Sequence, residues 1–465
     1  MKLFSLEETF NLSIDEVKNL YKTNVSPAQV KLLSAFSFGK DLSDTSEGCY
    51  IFTKSGKKIL DFTGGFGVLN HGHNNQRIIN ARINFQKKKK VEVHKNYLCP
   101  YLAALSHNIA NILPGDLNVS YLPNSGAEAN EGAIKLAYKF HEGKRKYILH
   151  SNISFHGKLL GTGSISASPE VKFNFPGLSN TDTFNWNSIE SVKEKIKKHE
   201  SDIFAIIIEP FSASSLQECS KEFLFELRKI CNEKKIILIF DEIYTGWGKT
   251  GEFFYFMNHE NLCPDILTMS KSFGGGKSSI SCFVTSSKIF EKAYGNLEDS
   301  MIHSTTYNAF GEECATAIEA INIAVEENYP LKAKNNGKLI NQKLKFLKNK
   351  YPNLIKEIRG KGCLQGILFK TGPEIINKIL NLVPVKLTKD ERFLSKLVTS
   401  SVINSLYDDY EILTSLGQNK EICLWISPPI IVTDEEINYF FESLEKVLDK
   451  GLVLSVLSFL KKQIF

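Results

Sequence analysis

The chain has 465 residues, of which 57 are basic and 51 are acidic, so its formal net charge at pH 7 is +6. This length exceeds what one small hydrophobic core can hold, and it predicts two or three domains or one large domain with satellites. The basic excess is small and spread along the chain, which argues against nucleic-acid binding, and no apolar run is long enough for a membrane-spanning helix.

The cysteine pattern and the N-terminus predict a cytoplasmic protein. There are nine cysteines, an odd number, and no two of them form a Cys-x-x-Cys pair. A disulfide framework and a zinc site are therefore both disfavoured, and reduced thiols are expected. The opening residues MKLFSLEETF contain acidic side chains and lack the apolar core of a signal peptide.

The first hundred residues predict structural elements rather than chemistry. Residues 1–45 have a mixed polar and apolar pattern that indicates helices. The segment CYIFTKSGKKILDFTGG predicts two short strands joined by a turn at KSGK. The glycine-rich segment FTGGFGVLNHGH predicts a loop, because glycine permits unusual backbone angles. The basic run QKKKKVEVHK is interpreted as the solvated end of a helix.

From Asn118 onward, strands alternate with helices, a pattern typical of a parallel sheet flanked by helices. The segment NVSYLPNSGAEANEGAIKLAYKF predicts a strand, a turn and a helix. Small residues at the helix start, Ser125, Gly126 and Ala127, expose backbone amides that suit an anion, or they form a plain N-cap. Further strands are predicted at KYILH, IFAIIIEP, IILIF, DILTMS and SISCFVTSS, and further helices at KEFLFELRKICNEKK and GEECATAIEAINIAVEEN.

Two side chains at predicted strand ends carry the chemistry. Asp241 ends the apolar run IILIF, and Lys271 follows the run DILTMS. Because ligands of open α/β sheets bind at the carboxyl ends of strands, both side chains are expected in one crevice. An acid and an amine there suit pyridoxal phosphate, which needs a lysine for its Schiff base and a carboxylate for its ring nitrogen. Taken alone, such a pair is more often structural, because most lysines are solvated and an aspartate after a strand is often a helix cap.

Beyond Tyr329 the pattern changes to a smaller α+β unit. Strands are predicted at KGCLQGILFK and EICLWISPPIIV, a capped helix at TDEEINYFFESLEKVLDKGL, and a packed terminal helix at GLVLSVLSFL. Residues 371–420 between them are charged and predict irregular structure.

An ordered set of motifs gives a family resemblance that covers about Asp61 to Leu444. The segments NSGAEANEGAIKLAY, SFHGKLLGTGS, IIEPF, IFDEIYTGWGKTGEFF, PDILTMSKSFGGG, HSTTYNAFGEECATAIEAI, IRGKGCLQGILF and LWISPPIIVTDEE resemble the class III aminotransferases. These are the ornithine/GABA-type subgroup of the fold type I pyridoxal phosphate enzymes. The resemblance implies an α/β fold, with a large domain built on a mostly parallel central sheet flanked by helices and a smaller α+β domain. The corresponding boundaries are 61–329 for the large cofactor-binding domain and 330–465 for the small domain. Residues 1–60 form an N-terminal segment that is part of the small domain.

The resemblance implies a role for each matching side chain. Lys271 is similar to the catalytic Schiff-base lysine, and Asp241 to the catalytic partner of the pyridine nitrogen. Ser125, Gly126 and Ala127 resemble the phosphate-binding cup.

The remaining cofactor contacts are implied in the same way. Phe155 of the FHG motif resembles the aromatic residue that stacks on the ring, and His156 and Tyr244 belong to the same cofactor site. Thr306 resembles the threonine that reaches the phosphate of the neighbouring subunit, which implies a homodimer with shared sites. No metal is expected, because His156 and His303 lack partners at metal-ligand spacing.

Departures from the family pattern concern the substrate. Many members carry an arginine before the paired prolines that clamps a substrate carboxylate, whereas this chain has Trp425. Glu209 resembles the glutamate that pairs with that arginine, so here it is a candidate partner for a substrate ammonium or other polar group. Trp425 is a candidate substrate contact or a packing residue of the domain interface. Tyr244 replaces a common glutamine, and NAFGEE departs from a GGNP-like string.

The expected activity is a transfer of an amino group from an amine or amino acid donor to a carbonyl acceptor by a ping-pong mechanism. Two alternatives remain open at this point. One is another fold type I reaction, such as that of an aminomutase, racemase or decarboxylase, because fold does not fix function. The other is a non-catalytic relative, which the presence of both Lys271 and Asp241 argues against.

Overall fold

The computed structural model describes residues 3–171, 175–371 and 391–464. In chain order the strands are β1 (Ser43–Glu47), β2 (Tyr50–Thr53), β3 (Lys58–Asp61), β4 (Leu117–Tyr121), β5 (Tyr147–Ser151), β6 (Thr181–Phe184), β7 (Ile203–Ile208), β8 (Phe211–Ser212), β9 (Gln217–Glu218), β10 (Ile237–Asp241), β11 (Ile266–Met269), β12 (Cys282–Ser286), β13 (Ile355–Lys361), β14 (Leu364–Phe369), β15 (Ile412–Leu413), β16 (Ser415–Gln418) and β17 (Ile422–Ile426).

The helices lie between and around these strands. They are α1 (Leu6–Phe10), α2 (Ile14–Asn24), α3 (Pro27–Ser34), α4 (Gly64–Gly67), α5 (Gln76–Lys87), α6 (Pro100–Ile112), α7 (Gly126–Phe140), α8 (Leu160–Ser164), α9 (Ile189–His199), α10 (Lys221–Lys234), α11 (Ser287–Tyr294), α12 (Gly311–Glu326), α13 (Tyr329–Lys350), α14 (Phe393–Tyr410), α15 (Asp434–Lys450) and α16 (Leu452–Ile464). Within the described residues, no helix is long and apolar enough to cross a membrane.

The central sheet has seven strands in the order β4-β12-β11-β10-β7-β5-β6. Strands β6, β5, β7, β10 and β11 pair in parallel, and β12 runs antiparallel to both of its neighbours. Every residue of β7 and β10 is buried, as expected for strands that are covered on both faces. The predicted α/β fold with a mostly parallel sheet is confirmed.

Side-chain alternation along β10 determines which way Asp241 faces. Ile237 and Ile239 belong to the core on the side of α7 and α11, whereas Leu238 and Phe240 belong to the core on the side of α6, α9 and α10. Since successive strand residues point to opposite faces, the next residue, Asp241, points toward α7. The helix α7 therefore covers the part of the sheet where the carboxylate emerges.

A second sheet contains strands from the N-terminal and the C-terminal parts of the sequence. β2 and β3 form the predicted antiparallel hairpin, and β3 pairs in parallel with β15. A separate antiparallel sheet has the order β13-β14-β17-β16, and α13 packs against β13 and β14. The N-terminal strands are thus hydrogen-bonded to an element from the C-terminal part of the sequence.

The prediction of irregular structure over residues 371–420 was wrong for much of its length. Residues 393–410 form α14, an 18-residue helix, and β15 and β16 follow it. Buried Thr399, Ser400, Ser401 and Asn404 lie among the apolar residues of α14, so the helical periodicity is weak in the sequence. Residues 372–390 of the same prediction lie outside the described residues.

Candidate active site

Asp241 and Lys271 line the same cavity, which has a volume of about 570 Å³. Asp241 is the last residue of β10, and Lys271 lies two residues beyond the end of the neighbouring strand β11. The expectation that the two strand ends open on one crevice is therefore met. The lining residues are Phe66, Gly126, Ala127, Phe155, His156, Gly157, Lys158, Ser168, Glu209, Ala213, Ser214, Asp241, Ile243, Tyr244, Ser270, Lys271, Leu416 and Trp425.

The carboxylate of Asp241 is buried and held by three donors. Its Oδ2 accepts hydrogen bonds from Nδ1 of His156 at 2.8 Å and from Nδ2 of Asn130 at 2.7 Å. Its Oδ1 accepts a hydrogen bond from the backbone N–H of Ile243 at 3.0 Å. Asn130 is itself fixed by the hydroxyl of Thr268, the residue paired with Asp241 across the two strands. This network sets the carboxylate in one orientation at the cavity wall.

Lys271 has a left-handed backbone conformation, with φ at 50°. Its Nζ donates a hydrogen bond to the backbone oxygen of Phe66 at 3.1 Å and lies 4.1 Å from the centre of the Tyr244 ring. Burial lowers its pKa to about 8, although the charges of Asp241 and Glu209 oppose the shift. The amine is therefore much easier to deprotonate than an ordinary lysine.

The start of α7 provides backbone amides at the cavity. Ser125 is the N-cap, and its Oγ accepts a hydrogen bond from the N–H of Glu128, whose carboxylate accepts the N–H of Ser125 in return. Gly126 and Ala127, the first helical residues, line the cavity, whereas Ser125 lies just outside it. A Cβ on Gly126 would lie 2.8 Å from the end of the Ile243 side chain, so a larger residue there would displace that side chain. The first N–H groups of a helix have no intrahelical partner and suit an anion.

Glu209 and Phe155 form one wall of the cavity. Glu209 directly follows β7, and its two carboxyl oxygens accept the backbone N–H groups of Phe155 at 3.0 Å and of Ala213 at 3.2 Å. Burial, assisted by the nearby charge of Asp241, raises the pKa of Glu209 to about 8. The Phe155 side chain remains 38% exposed, with its ring available to the cavity.

Aromatic side chains form the opposite wall. The Trp425 ring lies edge-on to Tyr244 at 5.4 Å and to Phe66 at 6.4 Å between ring centres. The hydroxyl of Tyr244 is hydrogen-bonded to Oγ of Ser427 at 3.2 Å. Trp425 also packs on strand β16, where a Cβ on Gly417 would lie 2.3 Å from its Nε1. Trp425 is therefore both a packed residue and a cavity-lining residue.

Thr306 does not line the cavity and is exposed on the surface of the chain. It lies in the segment before α12, which contacts residues 92–95: Gly311 N–H donates to the backbone oxygen of Glu92 at 2.9 Å, and Nζ of Lys95 donates to the backbone oxygen of Thr305. Within one chain, the structure does not bring Thr306 together with the other predicted site residues.

Several cavity residues were not identified from the sequence. Phe66 lies in the glycine-rich segment that was predicted only as a loop, and that segment forms the short helical turn α4. Asn130 lies on the buried face of α7. A polar residue among the alanines of that face was the sequence feature that could have identified it. Lys158, Ser214 and Ser270 also line the cavity, but each is an ordinary residue type in a polar segment.

The residues of this cavity fit pyridoxal phosphate. A volume of about 570 Å³ is within the usual range for a small-molecule pocket. A fixed carboxylate, an amine with a lowered pKa and free helix amides are the three groups that this cofactor requires. In addition, Nε2 of the cavity-lining His156 is buried and has no hydrogen-bond partner among the described residues, as expected of a site that a polar ligand completes.

Comparison with known proteins places this geometry in context. A family model described as aminotransferase class-III matches residues 41–448. The ornithine aminotransferase from Toxoplasma gondii has a similar fold, with a TM-score of 0.80 and 20% identity over 96% of this chain and 100% of that chain.

Two further solved structures of transaminases have similar folds. An (S)-enantioselective omega-transaminase from Thermomicrobium roseum has a TM-score of 0.79 and 21% identity over 97% of this chain and 99% of that chain. A transaminase from the marine bacterium Virgibacillus has a TM-score of 0.77 and 22% identity over 88% of this chain and 94% of that chain. At these identities the likeness concerns the fold.

Proposed function

The chain belongs to the class III aminotransferases, and from this membership we propose a role for each side chain of the cavity. The protein is a pyridoxal phosphate-dependent transferase that moves an amino group from an amine or amino acid donor to a carbonyl acceptor. When bound, pyridoxal phosphate supplies an electron-poor ring that withdraws electrons from the amine-bearing carbon of the substrate. The residues of the chain bind and orient the reactants and move protons.

Lys271 acts as the lysine that binds the cofactor covalently and as the base of the reaction. Its Nζ, with a pKa lowered to about 8, has a substantial neutral fraction near neutral pH. A neutral amine is a nucleophile, and when it is not bonded to the cofactor it would serve as the base that takes the proton from the amine-bearing carbon of the substrate. The acceptor half-reaction uses the same proton transfers in reverse order, which gives ping-pong kinetics.

Asp241 would accept a hydrogen bond from the protonated ring nitrogen of the cofactor. Its carboxylate is oriented by His156, Asn130 and the N–H of Ile243, and it lines the cavity. A buried and preorientated anion stabilises the protonated ring at no reorganisation cost.

The other cofactor contacts follow from the positions of the lining residues. Gly126 and Ala127, with the N-cap Ser125, hold the phosphate at the start of α7. Phe155 offers its ring to stack on the cofactor, and Tyr244 contacts the cofactor from the Lys271 side.

The substrate pocket favours donors that lack an α-carboxylate. Among the described residues that line the cavity, the only cationic side chains are those of Lys158 and Lys271, and none is an arginine. Trp425 occupies the position expected for a carboxylate-clamping arginine and presents an apolar face, while Glu209 offers a carboxyl group to a polar substituent. A carboxylate placed against Trp425 would be desolvated without a partner.

A homodimer completes the site through Thr306. Exposed apolar side chains cluster around this threonine in the two segments that contact each other, which supports a covered surface. They are Val91, Val93, Tyr97, Leu98, Met301, Ile302 and Tyr307.

We further propose two domains: a large domain at 61–329, and a small domain that consists of 330–465 together with residues 1–60. The pairing of β3 with β15 supports the assignment of residues 1–60 to the small domain. The cytoplasmic location stays a prediction from the sequence.

One observation supports these roles above all: Asp241 and Lys271 line one cavity of cofactor size. The test is to add single amine donors to the purified holoenzyme and record the absorbance of the cofactor. A transaminase converts the cofactor to its amine form in one stoichiometric step and needs a carbonyl acceptor to recover. Continued conversion of a single donor in the absence of any carbonyl compound would instead indicate an aminomutase, racemase or decarboxylase.

A further inference from the structure

A second cavity, of about 370 Å³, lies outside the active site and shares no lining residue with it. It is bounded by the face of α13, the turn between β13 and β14, and the turn that follows Lys249. We call it the lysine cleft. Its lining residues are Thr250, Gly251, Asn258, Lys334, Gly337, Lys338, Asn341, Gln342, Lys345, Gly360, Lys361, Gly362 and Gln365.

The lysine cleft brings four lysine side chains together. Lys334, Lys338 and Lys345 lie on one face of α13, and no acidic residue lines the cleft among the described residues. Of the other lysines of this helix, Lys332 pairs with Glu327 and Lys350 with Glu445. Within the described residues, Lys343 and Lys348 form no ion pair, and neither do Lys334, Lys338 and Lys345; the cleft is distinguished by three unpaired lysines that line one recess.

These charges repel one another. Lys334 and Lys338 are four residues apart on one helix face, and like charges at this spacing destabilise a helix. The fourth lysine of the cleft, Lys361, lies 3.5 Å from Glu218 and is thus weakly paired at the rim. An anion in the cleft would offset the repulsion among all four side chains.

Three backbone segments converge to form the floor of the cleft. A Cβ on Gly337 of α13 would lie 2.5 Å from Cα of Gly362, and a Cβ on Gly362 would lie 2.5 Å from the backbone oxygen of Lys249. Glycine at both positions therefore lets the helix, the hairpin turn and the 249–251 turn touch without intervening side chains. The result is a polar recess rather than a flat patch of surface lysines.

A buried donor lines this recess. Thr250 is only 1% exposed, and its Oγ1 has no hydrogen-bond partner among the described residues. An unpaired buried hydroxyl is costly and is normally satisfied by protein, water or a ligand. Its neighbours in the lining, Asn341 and Gln365, already bond to each other at 3.2 Å.

We propose that the lysine cleft binds a small oxyanion of the phosphate type that carries two or more negative charges. Lysine ammonium groups act as point charges toward phosphate oxygens, whereas planar carboxylates are usually recognised by arginine. Lys334, Lys338 and Lys345 supply the charge, and the hydroxyl of Thr250 supplies a donor from the recess. The volume of the cleft exceeds that of one phosphate group and accommodates a diphosphate or a small phosphorylated metabolite.

The test is calorimetric titration of the desalted holoenzyme with pyrophosphate at constant ionic strength. We expect saturable binding of one pyrophosphate per chain, and a decrease in affinity of about tenfold or more in the double variant K334Q/K338Q, because each lost contact is a charge-assisted hydrogen bond. The double variant K343Q/K348Q removes the same charge from α13 outside the cleft and should bind as the wild type does. Citrate, titrated in parallel, is expected to bind more weakly than pyrophosphate.

The variant T250V tests the buried donor separately. Valine keeps the shape of threonine, and the lost hydroxyl has no partner, so the melting temperature without anion should not fall. Pyrophosphate affinity should fall. The proposal is overturned by an absence of saturable binding, by equal weakening in K334Q/K338Q and K343Q/K348Q, by unchanged binding in T250V, or by tighter binding of citrate than of pyrophosphate.

Discussion

The Nζ of Lys271 lies 4.1 Å from the centre of the Tyr244 ring, so the phenol of one loop contacts the amine that follows the neighbouring strand. The ring face favours the charged ammonium through a cation–π interaction. Burial acts in the opposite direction and prevails, because it lowers the pKa of Lys271 to about 8. The structure thus holds this lysine in place while keeping it easy to deprotonate.

The lowered pKa predicts how cofactor uptake depends on pH. Only the neutral amine of Lys271 is a nucleophile, so the rate at which the apoprotein captures pyridoxal phosphate should rise through pH 8 and level off above it. The rate is measured by stopped-flow absorbance and divided by that of a free lysine derivative in the same buffers, which removes the titration of the cofactor itself; this ratio should be constant below pH 8 and fall above it, because the free amine is still being deprotonated there. A rate that rises steadily toward the ordinary lysine value of 10.5 would contradict the prediction.

Replacement of Lys271 tests the central assignment. We expect Lys271→Ala to lose turnover by about three orders of magnitude or more, because nucleophile and proton-transfer base are removed together. The chain should still fold, as judged by its melting temperature, because within the described part of the chain the Nζ makes a single hydrogen bond, to Phe66. Lys229→Ala, on exposed α10 surface, is the control and should retain full activity. Substantial turnover by the Lys271→Ala protein would refute the assignment.

Removal of the Asp241 charge should weaken cofactor retention and catalysis. Asp241→Asn keeps the side-chain size but removes the negative charge. The NH2 group of the new amide would face one of the present hydrogen-bond donors, which are His156, Asn130 and the N–H of Ile243. We expect turnover to fall by about two orders of magnitude, as when a preorganised charge partner is lost from a buried site.

Cofactor content by absorbance and kcat give the two readouts for this variant. Asp265→Asn is the control, because Asp265 lies just before β11, pairs with Arg228 and is absent from the lining of the active-site cavity. Its effect should appear in the melting temperature and not in cofactor content. Equal loss of cofactor in both variants would show that Asp241 acts through stability alone.

Trp425 predicts the preference between donors. Phenylalanine and 2-phenylethylamine differ only in the α-carboxylate, and we expect kcat/KM to favour the amine by about tenfold or more, because the carboxylate would be buried without a partner. In Trp425→Arg the ratio should shift toward phenylalanine, since the guanidinium offers a bidentate partner. Faster turnover of phenylalanine by the unmodified protein would contradict the prediction.

The role of Thr306 predicts complementation between two defective chains. If Thr306 serves the site of the neighbouring subunit, a mixed dimer of Thr306→Ala and Lys271→Ala chains contains one intact site and one doubly defective site. Co-expression should therefore restore activity well above the sum of the separate variants, approaching half of the wild-type value per mixed dimer. Activity no greater than that sum, with mixed dimers demonstrated by differential tagging, would exclude a shared site.

The sequence predicted the chemistry of the site because its principal groups are local features of strand ends and helix starts. Asp241 and Lys271 each follow a short apolar run, and the carboxyl ends of parallel strands lie at one edge of a sheet. The phosphate-binding position proposed at Gly126 and Ala127 likewise needs only a strand, a turn and a helix in succession. Strand alternation in β10 even determines that Asp241 faces α7.

Tertiary structure alone decided which distant residues complete that site. Asn130 bonds to Asp241 across 111 residues of sequence, and the backbone oxygen of Phe66 accepts from Lys271 across 205. The contact of Tyr244 with Lys271 and the lysine cleft between α13 and the β13–β14 turn arise in the same way. The periodic pattern of apolar residues in the sequence indicates which face of a helix or strand is buried. Which other element packs against that face depends on how all the elements pack together in the hydrophobic core.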